Sequence, residues 1–188
     1  MFLSTWEWIR LLGFVAYFYF TASIIFGLLR KTPNVKKHKN LLYQLHLSAG
    51  WFGLVAVITH MLLLMIDRYE PYSIVELLIP FTSDLNRYLS GIGSIAFYLF
   101  LIVMFTSDLW IQKMKFPMWK KFHLVVLPAW ILSFIHGVFI GTDTDNPVVQ
   151  IIYWSTLIIV LISFNVRHFV NKEKNKEKVT GDKPTASH

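Results

Sequence analysis

The sequence contains no cysteine. That absence excludes structural disulfides, iron–sulfur clusters, thiolate-ligated heme and the C-x-x-C-H attachment of c-type heme. Charge is also scarce. Only 15% of the 188 residues are Asp, Glu, Lys or Arg, too few to cover the surface of a soluble domain of this length. No run alternates polar and apolar residues in the manner of a membrane-barrel strand. Neither a Ser/His/Asp constellation nor an H-E-x-x-H sequence is present, so hydrolytic chemistry has no support. The segment Gly91-Ile92-Gly93-Ser94 looks like half of a nucleotide-binding fingerprint. It opens an apolar run with no strand before it, and phosphate binding is rejected.

What is present is apolar: 55% of residues are hydrophobic and the mean hydropathy is +0.50. Crossing the hydrocarbon layer takes about 20 apolar residues as a helix. Five runs are near that length: Trp6–Leu29, Leu41–Ile66, Tyr88–Thr106, Phe122–Ile140 and Val148–Val166. The expectation is an all-α membrane protein, a bundle of transmembrane helices over residues 1–170. The first run has no basic residues before it and is long for a signal peptide, so it reads as a retained helix. Residues 171–188 are charged and read as a disordered cytoplasmic tail. The stretch Ser73–Phe81 is too short to cross and reads as an interfacial helix that covers the outer end.

The net charge of +7 is not spread evenly. Lys and Arg gather in Arg30–Lys39, in Lys113–Lys121 and after Arg167. The other two loops carry Asp67, Glu70, Glu76 and Asp84, and Asp143 and Asp145. Lys/Arg-rich loops stay in the cytoplasm. This rule predicts the N-terminus outside, the C-terminus in the cytoplasm, and a multi-pass protein of the cell membrane. The partner of the basic loops is then the bilayer, not nucleic acid.

Four histidines lie within the apolar runs, where ionisable groups are costly and usually mark a functional site. His46 and His60 are 14 residues apart on the second run, and His123 and His136 are 13 apart on the fourth. These two helices run the same way through the membrane. They present His46 and His123 at an inner level and His60 and His136 at an outer one, about 20 Å apart. An axial bis-histidine heme needs one imidazole from each side, so the pairing is His46 with His123 and His60 with His136. Ala49, Gly50, Gly53 and Ala56 form a small-residue stripe between the histidines of the second run, with room for something flat. On the fourth run a spacing of 13 leaves the two imidazoles about 140° out of register. Pro128 lies between them and predicts a kink that turns both rings toward the second run.

Other residues are weighed against blander readings. Trp51, Phe52, Trp130 and Phe134 lie between the levels as core or lipid-facing aromatics, or as rings between cofactors. His38 reads as solvated, His168 as an interfacial residue or a contact for an inner propionate, and His188 as irrelevant. Arg30, Lys120 and Lys121 inside, and Arg68 and Arg87 outside, are interface anchors or propionate partners.

The combination H-x13-H on one span and H-x12-H two spans later resembles the ferric reductase-like transmembrane domain. That family includes NADPH oxidases, ferric reductases and the bacterial heme subunit of a periplasmic methionine sulfoxide reductase system. The resemblance is drawn over Leu41–Val166. It implies two b-type hemes, the inner held by His46 and His123 and the outer by His60 and His136, passing electrons outward. The family core has six spans where five are counted here, as if the first were absent. The flavin and nicotinamide domain of the oxidases is also missing, so a separate flavoprotein or membrane quinol is the expected donor. The expected acceptor is ferric iron, oxygen or an exported redox enzyme. Two further readings stay open: a heme subunit that only feeds such an enzyme, and a small non-heme transporter for which one level of histidines matters.

Overall fold

A computed structural model of the chain describes residues 4–30 and 32–181, the side chains at 33, 34, 36, 171 and 173–181 excepted. The described residues form helices and connecting loops, without a strand. The helices are α1 (Thr5–Leu29), α2 (Lys39–Met65), α3 (Ile74–Leu78), α4 (Arg87–Met104), α5 (Phe116–Leu124), α6 (Val126–Ile140) and α7 (Pro147–Gly181). Among the described residues, five segments are long and apolar enough to cross a membrane: Thr5–Leu29, Lys39–Met65, Arg87–Leu109, Phe116–Ile140 and Pro147–Val170. They match the five apolar runs, with small differences at the ends.

Local sequence accounts for several boundaries. Ser4 and Glu7 close a reciprocal capping box at the start of α1, and Ser73 and Glu76 close another at α3. The short α3 falls within the interfacial segment expected from the sequence. α5 and α6 are one apolar run broken at Val125. Pro128 has no N–H to give to the carbonyl four residues back, at Leu124, and α5 ends there. α7 differs most from expectation, because it continues to Gly181 through residues read as a disordered tail. Lys and Glu are good helix formers, so a helix already nucleated in the apolar run can extend through them. Residues 182–188, including His188, lie outside the described residues.

α1 packs most extensively along α2, and α4 along α6, while α7 lies mainly on α1. The bundle is therefore two antiparallel pairs plus one helix. Tyr17, Phe20, Ile24, Phe97, Phe100 and Trp130 are among the buried side chains of the shared core. Polar bonds pin the helices inside it. The Trp130 indole N–H donates to Thr21 Oγ1 at 2.7 Å, and Tyr17 Oη and Thr156 Oγ1 lie 2.6 Å apart. In an apolar interior such bonds fix relative position, because breaking one strands a buried donor.

The connection from α2 to α4 is strapped over the end of α4. Ser94 Oγ donates to the Leu77 carbonyl at 2.9 Å, and Tyr98 Oη donates to that of Leu78. Phe81 has a φ of 68°, uncommon for a bulky residue. A Cβ at Gly91 would stand 2.4 Å from its ring and 2.8 Å from its backbone nitrogen, so only glycine admits this crossing.

Candidate cofactor site

α2 carries His46 and His60, α5 carries His123 and α6 carries His136, while α1, α4 and the turn that follows α4 hold them in place. His46 Nδ1 donates to the Ser23 carbonyl at 2.8 Å, and Ser23 Oγ in turn donates to the His46 carbonyl at 2.9 Å. His60 Nδ1 donates to the Ile9 carbonyl at 2.8 Å, and His136 Nδ1 to that of Leu89 at 2.8 Å. His123 Nδ1 lies 2.9 Å from Ser107 Oγ. A carbonyl oxygen only accepts, so the rings of His46, His60 and His136 are protonated at Nδ1. Each leaves its Nε2 lone pair to be given to something else, the arrangement found around metal-ligating histidines.

Glycines make these bonds possible. The carbonyl of residue i bonds the N–H of residue i+4, so the side chain at i+4 stands beside that oxygen. The acceptors Ile9, Ser23 and Leu89 each precede a glycine by four positions: Gly13, Gly27 and Gly93. A Cβ at Gly13 would lie 3.2 Å from the His60 ring, one at Gly27 3.1 Å from that of His46, and one at Gly93 2.7 Å from that of His136. Gly13 and Gly27 are 14 residues apart, as are His46 and His60, and α1 runs antiparallel to α2. Ser107 stands 14 residues after Gly93 and takes the corresponding place for His123. It lies in a π-helical turn, Phe105–Leu109, that widens the end of α4.

The structure places the four histidines at two levels. At the first level the His46 and His123 ring centroids are 5.9 Å apart, at 73° between planes. At the second level His60 and His136 line one cavity of about 620 Å³. Gly13 and Gly93 lie in its wall, with Phe20, Phe97, Phe100 and Tyr153. The first level has a cavity of only about 50 Å³, bounded by Leu47, Gly50, Trp51 and Met104 among others.

Of the aromatics considered from sequence, none separates the levels. Phe52 is exposed, Trp51 borders the first level alone, and Trp130 and Phe134 pack with Tyr17 in the core. Phe20 and Phe100 do separate them. Their rings stack at 3.8 Å and 4°, and both border both cavities. Sequence reasoning missed them because a phenylalanine in an apolar run carries no mark of its depth.

The basic residues considered as anion partners are not in either cavity wall. Arg68, Arg87, Lys120 and Lys121 are exposed, and the Arg30 guanidinium sits 4.2 Å from the centroid of the Tyr43 ring. The cation in the larger cavity wall is Arg10, which pairs with Asp143. His38 and His168 are exposed and away from the site.

A family model, the ferric reductase-like transmembrane component, matches residues 12–134. The chain belongs to the ferric reductase-like transmembrane family. The match begins inside α1, so the first helix is part of the family region and the resemblance extends further toward the N-terminus than Leu41. It includes His46, His60 and His123 and ends just before His136. Membership fits a membrane-embedded carrier of electrons. No curated protein and no solved structure matches the chain.

The residues present fit a bis-imidazole metal cofactor. A bond from imidazole nitrogen to a first-row metal is about 2 Å, which puts two ligating ring centroids about 6 Å apart; His46 and His123 have that separation. The second level offers a mostly apolar space of a size typical for ligand sites, about 300–1,000 Å³. At the first level a porphyrin needs more than the present 50 Å³, and Trp51 in its wall is 42% exposed.

Proposed function

We propose that the protein carries single electrons across the membrane between two bis-histidine b-type hemes. His46 and His123 hold one, and His60 and His136 the other. The observation that carries this reading is the tying of each ring by Nδ1. His46, His60 and His136 donate to main-chain carbonyls and His123 pairs with a hydroxyl, with His46 facing His123 and with His60 and His136 on one cavity. A proton relay has no need of rings locked in one tautomer. A ligand set does.

Iron porphyrin held by these imidazoles would supply reversible one-electron chemistry. The protein's own groups do the rest. Gly13, Gly27 and Gly93 admit the rings close to α1 and α4. The Phe20–Phe100 stack fills the space between levels and shortens the through-space gap. Arg10, in the wall of the larger cavity, is available to meet an anionic edge such as a propionate.

The charge rule supports N-terminus outside and C-terminus in the cytoplasm, which makes the His46/His123 level the inner one. Electrons then enter from a flavoprotein or quinol and leave outward to ferric iron, oxygen or an exported redox enzyme. The test is the reduced-minus-oxidised spectrum of protein from heme-replete cells, with a pyridine hemochrome count. Two hemes per chain are expected; no b-type signal overturns the reading. The difference in cavity size favours one alternative, a single heme at the His60/His136 level, which the same count identifies.

A further inference from the structure

At the α5 end of the bundle the His123 ring does not stop at its partner His46. Trp119 stacks on it at 4.9 Å and 22°, and Phe116 lies on Trp119 at 5.5 Å and 31°. The three residues follow each other at steps of three and four on one face of the helix. The ladder starts at the surface, where Phe116 is 67% exposed, and ends on a ring assigned to the first level. Trp119 Nε1 is buried without a hydrogen-bond partner, so the indole is held by stacking at the expense of its own N–H. That is a poor arrangement for a simple interface anchor, which would turn its N–H to water.

Basic charge flanks the exposed end along the chain. Lys113, Lys115, Lys120 and Lys121, all within five residues of Phe116, are exposed, and Asp108 is the only carboxylate between positions 85 and 142. An exposed aromatic flanked by charge of one sign suits a small, transient protein interface: flat contact in the middle, electrostatic steering at the rim. We propose that this face docks an acidic protein that carries a one-electron centre, and that the Phe116–Trp119–His123 ladder is the port through which its electron enters. The proposal rests on the two-heme reading. In the step one electron leaves the donor, which is oxidised by one equivalent, and arrives at the cofactor held by His46 and His123, which is reduced by one. No bond forms or breaks and no proton is required.

The basic residues alone would also suit anionic lipid, as at any cytoplasmic membrane face. Lipid accounts for the lysines but not for a ring ladder that leads to a ligand. The experiment uses the full chain in neutral-lipid nanodiscs, with its hemes counted first by spectrum; failure of that count contradicts the two-heme reading, not this one. Reduction is then followed with reduced flavodoxin, an acidic flavin protein, and separately with duroquinol, a small neutral donor. In K115E/K120E the flavodoxin rate at low salt is expected to fall by at least about tenfold, a typical size for electrostatic steering. Added salt should slow the unmodified protein likewise, since the Debye length shrinks to about 10 Å at 0.1 M. Phe116→Ala should slow flavodoxin and leave duroquinol unchanged. A flavodoxin rate that is indifferent to charge and salt overturns the proposal. So does equal slowing with both donors, or an effect that appears only when anionic lipid is introduced.

Discussion

A methyl group at Gly93 would stand 2.7 Å from the His136 ring, closer than any real Cβ contact allows. The ring would have to leave the Leu89 carbonyl, and Nε2 would lose its aim. Gly93→Ala is therefore expected to abolish heme at the His60/His136 level while leaving the other signal, read by hemochrome count and difference spectrum. Gly27→Ala meets its ring at 3.1 Å and should shift or broaden the other component without removing it. The histidines were legible in the sequence because an imidazole in an apolar run has a cost that asks for a reason. The glycines were not. A lone glycine in a membrane helix reads as packing, and the matched spacing of Gly13/Gly27 with His46/His60 has meaning only once α1 is known to lie antiparallel on α2. Gly91 and Gly93 stand out in the sequence only as half of a fingerprint that is rejected; one admits Phe81 and the other His136.

At the scale of elements, the five spans were readable from length and hydropathy, and the break before Pro128 from its missing N–H. The π-helical turn at Phe105–Leu109 was not readable, because nothing in FTSDL departs from ordinary helix composition. Together the break and the π-helical turn bring His123 to Ser107 and to His46. Pro128→Ala restores the bond to the Leu124 carbonyl and straightens the junction of α5 and α6. The expected outcome is loss or strong perturbation of the His46/His123 heme, with the other retained. Thr21→Val leaves the Trp130 N–H buried without its acceptor. That should cost about 1–3 kcal/mol, seen as a lower thermal midpoint of the purified protein. By contrast Asp143→Asn removes an ion pair whose side chains are 34% and 43% exposed, worth less than about 1 kcal/mol.

For the whole molecule, the division of labour is between helices: α2, α5 and α6 present the histidines, while α1 and α4 with its π-helical end seat them. The resemblance read from sequence starts at Leu41, whereas the family match starts within α1, whose carbonyls hold two of the four rings. The absence of cysteine makes the orientation directly testable, since any introduced thiol is unique. Lys115→Cys should react with a membrane-impermeant maleimide only from the cytoplasmic side, and Asp145→Cys only from outside. The reverse pattern would invert inner and outer throughout. The two-heme reading requires two levels, each with its own pair of ligands. Difference spectra of His46→Ala and His60→Ala, recorded side by side with heme-to-protein ratios, separate the two levels. Each variant should keep one heme, and the two remaining spectra should differ. Loss of both hemes in each variant despite folded protein, or loss of the same component in both, would contradict it.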